Sequence, residues 1–377
     1  MVGFTMSAQA SSSNSSSNNN NDKEISNEQW QEWNVYLHNL TDASEVDLGD
    51  GKHKKTQTSV GILNLMIEAG FQPQTDAEYD TRCALPEEGE KNSKEELEVI
   101  EKFPSNYFKW VDDKGTKKRK QCRPQNPEQE LILCIDFPDL MVDYSKHPNS
   151  DLETEDLKPL RVSLNGRFKK DFNRHIVLRL NKDAKMSAKN LMYKIAEKSG
   201  KLQEFIDSKY NPGVLAGAAC KWSVDFQKNV SGDSTFYSIQ AVDPTSIEEV
   251  KAGKVTVSVA DQIPECSVPF TGIMLNSEEE GAYSEDVLKN IRREFLNVMK
   301  KCVAFKPSPI KYPDFVLGCN WEDTDLAKAL KASIEKNNPK EDSSSKEQSK
   351  AEEEVEVADN DNTPLSEDDG FDEDIPF

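Results

Sequence analysis

The chain has no Cys-x-x-Cys pair, no glycine-rich phosphate loop, no Gly-x-Gly-x-x-Gly after a strand and no His-Glu-x-x-His. Those gaps argue against clustered zinc thiolates, P-loop and dinucleotide folds, and helix-borne zinc hydrolysis. Histidine is scarce: His38, His53, His147 and His175 lie far apart. No apolar run approaches the roughly 18 residues needed to cross a bilayer, and the best stretch, Val60 to Ala69, is broken by Gly61, Asn64 and Glu68. Met1 to Ala10 has neither a charged n-region nor an apolar h-region, so no secretory signal is expected. The seven cysteines are scattered and odd in number, which points to free thiols in a reducing cytoplasm. Apolar residues are also few, 36% with a mean hydropathy of −0.74, so part of the chain is expected to stay unpacked.

Charge, by contrast, is abundant and unevenly placed. The formal net charge is −21, and residues 337–377 hold 15 acidic against 3 basic residues. More than half of the net negative charge thus sits in that last segment, and an isoelectric point near 4.8 leaves room for a basic surface elsewhere. Residues 1–28, with serine and asparagine runs, and the charged segment 337–377 are expected to be disordered, because neither can bury enough apolar surface to offset the entropy of ordering. Between them the chain is long enough for one large or two modest domains.

Periodicity predicts the elements in between. Trp30, Trp33, Val35, Tyr36 and Leu37 suit a short segment docked on the body. A first strand is expected over 58–69, after the turn-like Gly49-Asp50-Gly51. A long polar insertion follows over 72–128, with a short helix near 95–101. Alternation of Leu131, Leu133, Ile135 and Phe137 predicts a strand over 130–137, ended by Pro138. Strands over 160–164 and 174–180 follow, joined by an Asn165-Gly166 turn. Leu191, Ile195, Leu202, Phe205 and Ile206 predict a helix over 187–208 capped by Ser187. Two strands, 214–226 and 234–242, complete the set; Trp222 alternates with Cys220, Val224 and Phe226 and belongs to the core, and one of the neighbours Phe236 and Tyr237 is expected to face out. Residues 244–336 read as an extension packed on this body, with alternation over 254–259, a helix over 285–302 and another over 323–336.

The expected fold class is therefore α+β, mostly β with helices: an OB-fold, a five-stranded antiparallel barrel with a helix between its third and fourth strands. It would span 29–243, interrupted by the 72–128 insertion and followed by the helical C-terminal extension 244–336.

Asp372-Glu373-Asp374-Ile375-Pro376-Phe377 is the most distinctive stretch. Pro376 fixes its own φ and keeps Ile375 extended, so the tip is stiff. A pocket with an apolar slot for Phe377 and cations for its carboxylate and for the three acids would take it. This tip resembles the acidic tip of bacterial and bacteriophage single-stranded-DNA-binding proteins. Val60–Phe71 with Gln72-Pro73-Gln74, then Leu131–Leu140 and the helix near 190–206, is similar to the phage-encoded members. The resemblance implies a protein that coats single-stranded DNA in replication, recombination and repair. It implies partners captured by the tip: polymerase, helicase-primase or nuclease.

Single-strand binding needs cations along the backbone and flat side chains under the bases. Two stretches offer both. Lys114 to Arg123 holds six basic residues and no acid, among them Lys117, Lys118, Arg119, Lys120 and Arg123, with Tyr107, Phe108 and Trp110 just ahead. Lys158 to Arg179 holds seven basic residues against Asp171, among them Arg161, Arg167, Lys169, Lys170 and Arg174, with Phe168 and Phe172 interleaved. The plain alternative for each is a solvated loop. The tethered acidic tip would compete with DNA for such a groove, at an effective concentration of about millimolar. Two rival readings stand beside this one. The first is an adaptor that uses the tip without binding DNA. The second is a metal-dependent nuclease built on Asp136, Asp139 and Asp143, which lacks the Glu-x-Lys usual beside such carboxylates. No catalytic residue, metal or cofactor is expected, no membrane partner either, and the sequence is compatible with a homo-oligomer.

Overall fold

The computed structural model describes residues 25–113, 115–164, 176–181, 183–232, 234–247, 250–251, 254–255, 263–303 and 320–337. In chain order these form α1 (Asn27–His38), β1 (Val46–Gly49), β2 (Lys52–Gln72), β3 (Ala77–Asp80), α2 (Lys94–Lys102), β4 (Tyr107–Asp113), β5 (Thr116–Arg123), β6 (Glu128–Asp143), β7 (Leu157–Leu164) and β8 (Ile176–Val177). There follow α3 (Leu191–Lys198), α4 (Leu202–Asp207), β9 (Ala219–Ser231), β10 (Ser234–Thr245), β11 (Val250–Lys251), β12 (Lys254–Val255), β13 (Thr271–Ile273), α5 (Glu285–Leu288), α6 (Arg293–Met299) and α7 (Asp325–Asn337). The fold is mixed α+β and its sheets are mostly antiparallel. The main sheet runs β10-β9-β2-β6-β7, with β1 and β13 added to β2 and β8 added to β6. None of the six described cysteines is in a disulfide, and no helix among the described residues is long and apolar enough to cross a membrane.

β2 is the spine. Its first half pairs with β9, from Lys52↔Asn229 to Ile62↔Ala219, and its second half pairs with β6, from Ile62↔Asp136 to Gln72↔Glu128. A register shift between Leu63 and Leu65 changes which residues face inward. Before it Gly61 and Leu63 point into the first core with Ile135, Phe137, Trp222, Val224 and Phe226. Beyond it Leu65, Ile67 and Ala69 point into a second core. From Gly61 to Gln72 the strand is buried throughout, which accounts for its near-continuous apolar sequence.

The second core lies between the outer face of β2 and β6 and the C-terminal segment. Ile273, Leu275, Ile291, Phe295, Met299, Trp321 and Leu326 pack there against Ile132 and Cys134. β13 adds to β2 in parallel, Thr271↔Leu65 to Ile273↔Ile67. The buried Glu68 carboxylate accepts the Leu275 N–H at 3.0 Å. These contacts make residues 271–302 part of the body.

The closed barrel expected from the sequence is not present. β7 and β10 come within 8 Å at Cα but share no ladder among the described residues. Helix α1 fastens across this seam. Its Gln31 Nε2 donates to the Thr235 carbonyl of β10 (3.3 Å), its Tyr36 hydroxyl accepts the Asp143 N–H where β6 meets β7 (2.8 Å), and Trp33 and Leu37 enter the first core. Ser26 starts α1 with a capping box closed by Gln29.

Other elements depart from expectation for local reasons. Pro138 does not end β6: the ladder to β7 skips from Phe137 to Met141 and resumes, because a bulge absorbs the residue without an N–H. The helix expected over 187–208 is two, α3 and α4. Gly200 between them takes a left-handed φ of 75°, and the N-cap is Asn190, not Ser187. The strand expected from Val214 starts at Ala219, after a 3₁₀ turn over Pro212–Leu215. The helix expected over 285–302 breaks at the extended Arg292, a bend that lets Ile291 and Phe295 both enter the second core. The Asn165-Gly166 turn lies outside the described residues.

Two predictions follow from these contacts. A Cβ at Gly61 would collide with Ile135 and stand 2.7 Å from Phe137 and 2.9 Å from Trp222. Gly61→Ala should therefore lower unfolding stability by about 1–3 kcal/mol, read from the denaturant midpoint; an unchanged midpoint contradicts the packing. His147 lies edge-on to Trp30 and Trp33, at centroid distances of 5.4 and 5.1 Å. Burial, and then the Arg292 charge, hold its pKa below 6.5. The unfolded chain takes up that proton first, so the stability from neutral His147 is complete above the unfolded value and falls as pH drops below it. Between about pH 7 and pH 5, thermal midpoints of the parent should decline more steeply than those of His147→Phe. Parallel curves would contradict this burial.

Candidate nucleic-acid interface

The 73–127 insertion is ordered around an ion pair. β3, β5 and β4 form a three-stranded antiparallel sheet in that order. Ser93 caps α2, and Glu96 closes the capping box by accepting the Ser93 N–H at 3.1 Å. The same carboxylate takes Arg119 Nε and Nη2, each at 2.9 Å. Arg119 Nη2 also donates to the Lys91 carbonyl (2.9 Å) and to Asn92 Oδ1 (3.0 Å). The guanidinium lies 5.4 Å from the Trp110 ring and 5.9 Å from that of Phe108. Glu96 is fully buried and Arg119 is 7% exposed, so this arginine holds α2 on its sheet and is closed to a phosphate. Phe108 is buried beside it.

Two further cations of the run, Lys118 and Lys120, and Lys109 ahead of it are matched by carboxylates. Lys118 Nζ lies 2.6 Å from Asp113, Lys120 Nζ 2.5 Å from Asp80 and Lys109 Nζ 2.7 Å from Glu78. Lys118 donates to Asp113, which raises the Lys118 pKa, and Lys120 donates to Asp80, which lowers the Asp80 pKa. Tyr107 donates its hydroxyl to Asp76, which raises its pKa. Lys117 and Arg123 are exposed. Trp110, 47% exposed, and Tyr107 offer ring surface on opposite faces of the small sheet. Three cations of this acid-free stretch are thus matched in space, Lys118 by Asp113 on β4, Arg119 by Glu96 on α2 and Lys120 by Asp80 on β3.

Arg161 does not face solvent as expected. Its Nε and Nη2 reach Asp136 Oδ1 and Oδ2 at 2.7 and 2.8 Å, and its Nη1 donates to Asn290 Oδ1 at 2.9 Å. Asn64 Nδ2 completes the group, donating to Asp136 Oδ2 (2.8 Å) and to the Val268 carbonyl (2.7 Å). The group ties β2, β6 and β7 to the C-terminal segment. It also occupies Asp136, while Asp143 accepts from Ser145 and from the Asp156 N–H. Among the described residues no cluster of three or more His, Cys, Asp or Glu could hold a metal ion. Lys114, Arg167, Phe168, Lys169, Lys170, Arg174 and the tip Asp372, Glu373, Asp374, Ile375, Pro376 and Phe377 lie outside the described residues.

What the sequence did not assemble is the outer face of β2, β9 and β10. The Lys52–Lys55 group and Phe236 are visible separately in the chain, but only the strand register sets Lys52, Asn229 and Phe236 in one row. No family model, curated protein or solved structure matches this chain.

The Glu96–Arg119 pair can be tested alone. Glu96→Gln leaves a buried guanidinium without its counter-charge and should cost about 3–5 kcal/mol in the insertion's stability, read from Trp110 fluorescence during urea unfolding in a protein whose other tryptophans are replaced by phenylalanine. An unchanged transition would show that the pair does not hold the insertion.

Proposed function

We propose that this protein binds single-stranded DNA, coating it during replication, recombination and repair, and recruits replication enzymes through Asp372–Phe377. The observation that carries this reading is the strand order β10-β9-β2-β6-β7, with α3 and α4 between β7 and β9. Counting β2, β6, β7, β9 and β10 as strands one to five, the first strand pairs with the second and the fourth, and a helix links the third to the fourth. That order supports reading the sheet as an OB-fold opened between its third and fifth strands, a fold that repeatedly serves oligonucleotide binding. The insertion occupies the loop between strands one and two. The resemblance of the tip to that of single-stranded-DNA-binding proteins supports the same reading.

The adaptor reading draws support from one observation, the matching of Lys118, Arg119 and Lys120 by carboxylates. The two are separated by titrating the full chain with oligo-dT across salt concentrations. The proposal expects tryptophan quenching at low salt and a log–log salt slope of about −0.7 per phosphate contacted. Deleting 369–377 should tighten binding, most at low salt, because the tethered acids no longer compete. No quenching at low salt would favour the adaptor, and Mg²⁺-dependent loss of the oligonucleotide would favour the nuclease.

A further inference from the structure

The outer surface of the main sheet divides sharply along β2. Where β2 pairs with β6, that surface is sealed by the second core and by the Asp136–Arg161–Asn64 group. OB-folds use the face of strands two and three for oligonucleotides, and here Ile132, Cys134, Asp136 and Arg161 on that face are covered. A nucleic acid cannot lie there without dismantling the C-terminal segment.

The other half of the surface differs in composition. With Trp222, Val224, Phe226 and Ile239 facing the first core, alternation sends their neighbours outward. The register then sets Lys52, Asn229 and Phe236 in one row and Lys54, Gln227 and Ser238 in the next; Val46 of β1 lies opposite Lys54. Thr56, Asp225 and Gln240 form a third row. Lys52 and Thr56 are exposed, and Phe236 is 44% exposed. The rows are about 7 Å apart along the strands, comparable to the phosphate spacing of a stretched single strand.

We infer that this outer face of β2, β9 and β10, centred on Phe236, Lys52, Asn229 and Gln227, is the surface that takes single-stranded nucleic acid. The inference rests on the proposed function and says where that function is carried out. Its charge argues for a polyanion: in a chain of net charge −21, the three rows hold Lys52 and Lys54 against the single acid Asp225. That acid is already engaged by Thr56 Oγ1 (2.7 Å) and Lys54 Nζ (3.3 Å). Its polarity argues for an extended strand rather than a packed protein helix, since Asn229, Gln227 and Ser238 are neutral donors and acceptors suited to base edges and sugars. Phe236 supplies the ring for stacking, which tolerates any base. Lys52 supplies a charge for the backbone.

The test measures anisotropy of a fluorescein-labelled oligo-dT with the full chain and four variants. Phe236→Ala should weaken binding roughly 5- to 100-fold, and Phe236→Trp should restore it. Lys52→Ala should reduce the salt slope by about 0.7. Lys117→Ala/Arg123→Ala, on the insertion, should leave affinity within about twofold, a surface change away from the contact. Thermal midpoints equal to that of the parent exclude misfolding, because all four residues are on the surface. Parent-like binding by Phe236→Ala and Lys52→Ala would overturn the location while leaving the function standing, as would loss confined to the insertion variant. A parent protein that does not bind oligo-dT at low salt would overturn both.

Discussion

The double burial of β2 governs the molecule. A strand with one wet face can slip or fray; one whose faces enter two different cores has its register fixed from both sides. The register shift at Leu63–Leu65 makes this possible, because it exchanges the inward and outward sets within a single continuous strand. The N-terminal half is polar on both faces, with His53, Lys55 and Gln57 inward and Lys52, Lys54 and Thr56 outward. The C-terminal half is apolar on both faces and must be covered, which the segment from β13 to α7 does. The C-terminal segment is therefore as much a condition of the sheet as a consequence of it.

The polar groups at the edge of this second core serve the same end. Asp136 and Arg161 are costly to bury, and neither would be tolerated without the other. Their bidentate contact, with Asn64 and Asn290 satisfying the remaining groups, closes the junction between sheet and C-terminal segment. Glu96 and Arg119 repeat the device on a smaller scale in the insertion, where few apolar residues are available to hold α2 on three short strands. In both places a cation that looks free in the sequence is a structural tie.

The parts of the fold that depend on local pattern were legible in the sequence, and those that depend on pairing were not. Alternation in Leu131–Phe137 and in Cys220–Phe226 located two central strands and the core place of Trp222. Helical spacing located α3 and α4, though a left-handed glycine at 200 divided them. The extension of β2 back to Lys52 was hidden because Lys52–Gln57 carries no apolar alternation; its outward residues are Lys52, Lys54 and Thr56, and its inward ones His53, Lys55 and Gln57. The insertion's strands were hidden for the same reason. The neutralisation of Lys120 depended on Asp80, some forty positions away on β3. The row of Lys52, Asn229 and Phe236 could not be seen before the register of three strands was known.

The surface proposed for a nucleic acid is thus defined by elimination and by chemistry together: among the described residues one half of the sheet is covered, and the other is polar, carries Lys52 and Lys54, and exposes the Phe236 ring. Hydrogen–deuterium exchange of the full chain, with and without a saturating oligo-dT, tests this most directly. The account predicts slower exchange on binding in 52–57 and in 227–240, with no change in 65–69 and 132–134, which are already covered. Protection confined to 107–123, or release of 271–302 when DNA binds, would contradict it.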